Sequence, residues 1–460
     1  MDRENKRNRH PWFVFTVATG LTCLFTWWSP DSKSHTALGR FNYAEFMLAL
    51  GTSLVFVSIL CVAVTKRRKR RRRLIQIVSI WISGSATLLC VEVIATLVPR
   101  TNNPFYNENT DDLLADDSEG AKLPYTRPPH INWEGWSRGD LAVRLLDQTN
   151  GRWLTFQTDA DGFRNSKDIK QADLVFIGDS FTEAGNVLEE ESFVRLTATK
   201  LNLTARNLGL CGYPPPAELV VLQRYGLKCD PKLVVWQICE GNDLVESRRY
   251  ADWRKGGYPS TEQPDGTSRW EQQSITHLLF RCFVRHERNW WAGDYHRADG
   301  SHCEVRFLFV PSPDQIPIEY YGRGQRVEHL GWKPIVAALK QGSRQLKQLR
   351  ISLLVVFIPT KLTVMGQFIR FDDWSQEKVN RLPALRIPKH MSMATQLKGV
   401  CDELDVVFVD TTEALEAKAA DGELVYYPLD SHLTPLGHEV VSRLVVDTIT
   451  DVTKKTNNHE

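Results

Sequence analysis

Net charge is nearly absent from this chain: 57 lysines and arginines stand against 55 aspartates and glutamates, a formal +2 over 460 residues. The basic residues that break this balance crowd into the first hundred positions, so the remainder has no basic bias and a nucleic-acid partner is not expected. Metal-site spacing is lacking too. His286, His296, His302 and Cys303 lie close in sequence but match no zinc-ligand pattern, and nothing calls for a metal or another cofactor. Nor do the nine cysteines make a disulfide framework: Cys23, Cys61 and Cys90 fall in apolar stretches, where thiols act as small hydrophobes, and no pairing of the other six is favoured. A cleavable leader is also missing. The first apolar stretch runs into Thr26-Trp27-Trp28-Ser29-Pro30 with no small-x-small site, which points to an uncleaved anchor.

Three long apolar stretches are present, at about 11–28, 46–65 and 74–98, each close to the roughly 20 residues that a spanning helix needs. Trp12, Trp27 and Trp28 sit at the ends of the first, where amphipathic rings favour a membrane interface. Between the second and third lies Lys66-Arg67-Arg68-Lys69-Arg70-Arg71-Arg72-Arg73, which reads as a short cytoplasmic loop. Arg3, Lys6, Arg7 and Arg9 precede the first stretch, whereas the loop from Ser29 to Asn42 carries only Lys33 and Arg40. Basic residues inside then give an N-in arrangement, with everything after about Pro99 outside the cytoplasm. The expectation is a multi-pass inner-membrane protein with 1–100 as its anchor.

Residues 101–135 are rich in Asn, Asp, Glu and Pro and read as an extracytoplasmic linker. Beyond them, strand-like and helix-like segments alternate, as βαβ units do. Strands are expected at Leu174–Gly178, Thr204–Leu208, Leu233–Ile238, Ile351–Ile358 and Val406–Asp410, and helices at Ser192–Leu201, Pro216–Tyr225, Ile335–Leu349, Met393–Leu404 and Pro435 to about Thr450. That pattern implies a flavodoxin-like three-layer α/β/α sandwich with a parallel sheet over 136–460, interrupted at about 244–333 by a cap-like insertion. The insertion holds Trp253, Trp270, Trp290, Trp291, Tyr295, Tyr320, Tyr321 and Trp332, which serve either as packing residues or as flat faces for sugar rings.

The stretch Asp173-Leu174-Val175-Phe176-Ile177-Gly178-Asp179-Ser180 reads as a buried strand turning into a helix, which sets Ser180 where open α/β sheets bind ligands. No G-x-S-x-G elbow is present. A serine hydroxyl needs a base that titrates near neutrality, and His432 is the candidate, with Asp430 to fix its tautomer. His438, six residues on, reads as a helix bystander. Gly-Asp-Ser alone is an ordinary turn, but further blocks follow in order: Asn207-Leu208-Gly209-Leu210-Cys211-Gly212, Glu240-Gly241-Asn242-Asp243, and Asp430-Ser431-His432.

With these blocks the sequence resembles the SGNH (GDSL) hydrolase family: Ser180 in the first, Gly212 in the second, Asn242 in the third, Asp430 and His432 in the last. Asp159-Ala160-Asp161-Gly162-Phe163-Arg164 also resembles the N-x-x-G-F-R turn found upstream of the nucleophile in bacterial members, and Phe357-Ile358-Pro359-Thr360-Lys361 resembles a segment of theirs to which no chemical role attaches. The resemblance implies a catalytic Ser180, His432 and Asp430 and an oxyanion hole from the N–H groups of Ser180 and Gly212 and the amide of Asn242. The spacing departs from the family's usual Asp-x-x-His, although an Asp-x-His variant occurs in members linked to polysaccharide O-acetylation. The function implied is a membrane-anchored extracytoplasmic serine esterase acting on O-acyl, expected O-acetyl, groups of carbohydrate. Two alternatives stay open: an O-acyltransferase that uses the same residues beside polysaccharide export or acetylation partners, and a catalytically inactive glycan-binding scaffold.

Overall fold

The computed structural model describes residues 43–97, 123, 126–136, 139–141, 152–252, 254, 290–308, 331–380 and 392–457, which fall into two units, one formed by 43–97 and one by the rest. The apolar stretch at 11–28 and most of the 101–135 segment lie outside them.

The first unit is a helical hairpin, Tyr43–Ala63 and Arg70–Leu97. The basic run does not stay a loop: Arg67–Lys69 forms one tight turn, and Arg70–Arg73 already begin the second helix. Arg70 donates to the carbonyls of Thr65 at 3.0 Å and Ala63 at 3.1 Å, satisfying acceptors that a helix end leaves open. Trp81 Nε1 donates to Ser58 Oγ at 3.0 Å across the hairpin. No helix among the described residues is long and apolar enough to cross a membrane, so three spanning helices remain an expectation of the sequence.

The described residues of the second unit form ten strands: β1 (Asn132–Trp136), β2 (Trp153–Gln157), β3 (Leu174–Ile177), β4 (Ala205–Asn207), β5 (Leu233–Cys239), β6 (Trp290–His296), β7 (His302–Leu308), β8 (Ser352–Ile358), β9 (Ile369–Phe371) and β10 (Val407–Asp410). Five of them form a parallel sheet in the order β10-β8-β5-β3-β4. Relabelled along the chain this is 2-1-3-4-5, the flavodoxin-like order, in which the winding reverses between β3 and β5.

Both faces of the sheet are buried at its centre, which explains why β3, β5 and β8 are mostly apolar. Val175, Ile177, Val234, Trp236, Ile238, Val355 and Phe357 pack on one side with the helices Pro215–Val221, Trp332–Leu349 and Met393–Leu404. The alternate residues Leu174, Phe176, Val235, Leu354, Val356 and Ile358 pack on the other with Phe193–Leu201, Thr412–Ala420 and Pro435–Asn457.

Three departures from the sequence reading have clear causes. Order begins before residue 136: Leu123 is fully buried in the core, and the Arg127 guanidinium makes two hydrogen bonds to the Glu183 carboxylate, at 2.9 and 3.1 Å, in a buried pair. The expected insertion is partly core, since Trp332 starts the helix Trp332–Leu349. In its described part, β6 and β7 pair antiparallel and take β9, from beyond the insertion, as a third strand. Trp290, Trp291, Tyr295 and Trp332 are all buried, so these four pack and offer no open face to a sugar. Trp253, Trp270, Tyr320 and Tyr321 lie outside the described residues.

Removing one partner of a buried ion pair strands the other charge. Arg127→Met is therefore expected to lower unfolding stability by about 3–5 kcal/mol, read from the midpoint of denaturant unfolding. An unchanged midpoint would show that the pair contributes nothing net.

Candidate active site

The nucleophile turn is built by close approach. A Cβ on Gly178 would lie 2.3 Å from Thr182 Oγ1 and 2.4 Å from Gln237 Oε1, so only glycine lets β3 turn here. Asp179 then caps the short helix Ser180–Glu183 by accepting the N–H of Phe181 at 3.0 Å. The upstream Gly-Phe-Arg turn has a structural purpose. Arg164 is buried and donates to the carbonyls of Glu183 at 3.1 Å, Val187 at 2.6 Å and Ala184, fastening the far end of that helix. Burial lowers the Arg164 pKa to about 10, partly offset by Glu189 and Glu183, so it stays charged.

The last block meets Ser180. His432 Nε2 lies 2.8 Å from Ser180 Oγ, and His432 Nδ1 lies 2.6 Å from Asp430 Oδ1. One intervening residue suffices because Asp430 Oδ1 also accepts the backbone N–H of His432 at 3.0 Å. That local turn folds both side chains onto one side, so the short spacing leaves the acid and the imidazole in contact. Burial disfavours the imidazolium, but the Asp430 charge and hydrogen bond, then Asp140 and Asp179, outweigh it and raise His432 to about 9. Burial pushes the Asp430 carboxyl up, yet His432 and the Lys361 ammonium bring it below its ordinary value.

Lys361, to which the sequence assigned no role, holds this turn. Its buried ammonium donates to the carbonyls of Arg306 at 2.6 Å, Pro428 at 2.9 Å and Asp430 at 3.1 Å. Asp140, which lies in no sequence block, also reaches the turn through Ser431. Sequence offered a trace of Lys361 in its place just after a strand end, and none of Asp140.

The expected oxyanion donors Gly212 and Asn242 lie in loops connected to the Ser180 turn. Gly212 adopts φ 72°, the left-handed region, with nothing near where a Cβ would be, and its loop is tied to the nucleophile turn by Leu210 N–H to the Gly178 carbonyl at 3.1 Å. Asn242 follows β5 beside the point where the winding reverses, and its side chain hydrogen-bonds the Asp179 carboxylate. An amide has two N–H groups, so this bond leaves a second donor. His438 stands apart: it is buried, accepts the Phe193 N–H at 3.3 Å, stacks on that ring, and burial lowers it to about 3. It is a neutral packing residue.

Among the described residues, one cluster has three ligand-type atoms within 4.8 Å of one another: Asp140, Asp430 and His432. His432 Nδ1 and Asp430 already satisfy each other, so the arrangement suits proton transfer better than a metal cage. Seven cysteines are described, and all are free thiols.

A base must be neutral to take a proton, so activation of Ser180 should fall as pH drops below the raised His432 value. Labelling of Ser180 by a fluorophosphonate is expected to rise with pH towards about 9. In Asp430→Asn the loss of the largest raising influence should move this limb down towards about 6.5, with a rate lower by about 10^4-fold. An identical limb in both proteins would exclude the Asp430–His432 coupling.

Residues 325–460 match the family model described as the SGNH hydrolase-like domain of the acetyltransferase AlgX; that segment contains Asp430 and His432 but not Ser180. Comparison with curated proteins gives no match. Solved structures similar to this chain include a GDSL-like lipase from Bacteroides thetaiotaomicron, 12% identical over 61% of this chain and 88% of that one, with a TM-score of 0.27. Another is a catalytic mutant of Axe2, an acetylxylan esterase from Geobacillus stearothermophilus, 13% identical over 60% and 92%, with a TM-score of 0.30. The α/β part thus combines a parallel sheet of 2-1-3-4-5 order with a carboxyl-terminal segment, residues 325–460, that is similar to an SGNH hydrolase-like domain.

Proposed function

We propose that the chain is a serine esterase that removes O-acetyl groups through an acyl-enzyme on Ser180. The observation that carries this reading is the continuous contact from Ser180 Oγ through His432 to Asp430, 2.8 and 2.6 Å. In this reading Ser180 Oγ attacks the ester carbonyl while His432 takes its proton. The oxyanion is met by the N–H groups of Ser180 and Gly212 and by the Asn242 amide, each donor lowering the barrier by roughly 3 kcal/mol. Collapse expels the alcohol, protonated by His432, and water activated by the same imidazole releases acetate. The substrate class is an acetylated carbohydrate outside the cytoplasm, an assignment that rests on the sequence-derived topology.

The match to a family model that names an acetyltransferase favours a second reading. There a sugar hydroxyl, in place of water, takes the acetyl group from Ser180. Hydrolysis of 4-nitrophenyl acetate should fall by at least about 10^4-fold in Ser180→Ala and in His432→Ala. Equal rates in all three proteins would sink both readings. Faster turnover of the acetyl-enzyme on addition of a glycan, with acetate appearing on the glycan, would select transfer.

We also propose that the first hundred residues attach the chain to a membrane, with the α/β part on the outer side. Large apolar side chains stand exposed on the described hairpin, among them Phe56, Ile59, Ile80, Trp81 and Ile82, and the basic run makes the turn between its helices and the first turn of the second. The chain is expected to stay with the membrane pellet after alkaline carbonate washing. Release into the supernatant would exclude an integral anchor.

A further inference from the structure

Asp140 approaches the acid–base pair from a segment far away in sequence. Its Oδ1 accepts the backbone N–H of Ser431 at 2.9 Å, and its Oδ2 accepts the Ser431 hydroxyl. The segment that delivers it is fastened to the same loop. Leu141 N–H donates to the Leu429 carbonyl at 3.1 Å, and the Arg306 guanidinium donates to the Leu141 carbonyl at 2.8 Å. A Cβ on Gly139 would fall 1.9 Å from the Leu429 carbonyl oxygen, so the two strands of chain run together as closely as glycine permits.

Ser431 is the single residue between Asp430 and His432, and any rotation of its peptide would turn the imidazole away from Ser180. Asp140 grips that residue at both its backbone and its side chain. We infer that Asp140 is a positioning residue that acts through Ser431 to hold His432 towards Ser180, an inference that rests on the acyl-transfer reading above. Charge works in the same direction, since Asp140 also favours the imidazolium form of His432. Crowding by the protein and the neighbouring Asp430 carboxylate push Asp140 up to about 6, against His432 and the bonds from Ser431. Its side chain is nevertheless exposed, so solvent screens part of the desolvation contribution.

The experiment compares Asp140→Ala, Asp140→Asn and Ser431→Ala, singly and as the double variant Asp140→Ala/Ser431→Ala, in the full chain with 4-nitrophenyl acetate. Asp140→Ala is expected to lower kcat by about 10–100-fold with KM little changed, the size seen when an outer carboxylate behind a functional histidine is removed. Asp140→Asn keeps an acceptor for the Ser431 N–H and should recover most of that loss. The double variant should cost less than the product of the two single losses, because both act on one contact. If Asp140→Ala does not fold, the Asn and Ser431→Ala variants carry the test through kcat and the acid limb of its pH profile. Wild-type kcat and pH profile in Asp140→Ala, or fully independent losses in the double variant, would overturn the positioning role while Ser180→Ala remains dead. Turnover undiminished in Ser180→Ala would instead defeat the reading on which the inference rests.

Discussion

One buried ammonium ties the site together. Lys361 follows β8 after Pro359 and Thr360 and donates to three carbonyls in two segments: Arg306 on β7, and Pro428 and Asp430 in the last block's turn. A buried lysine is costly unless its three donors are satisfied, and here all three meet oxygen. The central sheet, the antiparallel sheet and the acid–base turn therefore share a common point. Phe307 packs under the same nitrogen, 5.3 Å from its ring centroid, which keeps that point dry.

Around this point the electrostatics are one-sided. Asp179 is buried directly before Ser180, and burial raises its pKa. Glu218 and Asp243 are also buried and raised well above ordinary carboxylates, first by burial and then by the charges of Asp243 and Asp179 on Glu218 and of Asp179 on Asp243. Trp236 Nε1 and Cys239 N–H each donate to one of them, at 2.6 Å. Among the charges that raise His432, Asp430 comes first, ahead of Asp140 and Asp179.

Much of the α/β part could be read from the chain because its signals are local. The helix Met393–Leu404 begins and ends as its apolar spacing says, with Ser392 as its cap, and β3 and β8 stand out as apolar runs between polar turns. Ser180 and His432 were recoverable because each follows such a run or precedes such a helix. Asp140, Lys361 and Arg127 were not, since what they do depends on contacts across 291, 69 and 56 residues of sequence. Periodicity says nothing about pairing at that range. The aromatic cluster was left between packing and sugar binding for the same reason: alternation cannot show that Trp290, Trp291 and Tyr295 face inward until β6 is given its two neighbours.

The one-residue spacing of Asp430 and His432 has a mechanical consequence. Because one oxygen of Asp430 holds both the ring and the backbone of His432, acid and imidazole form a single rigid body. The geometry that can vary during turnover then reduces to one distance, from His432 Nε2 to Ser180 Oγ, between that body and the nucleophile turn. Whatever lengthens that one distance leaves the pairing of Asp430 with His432 intact.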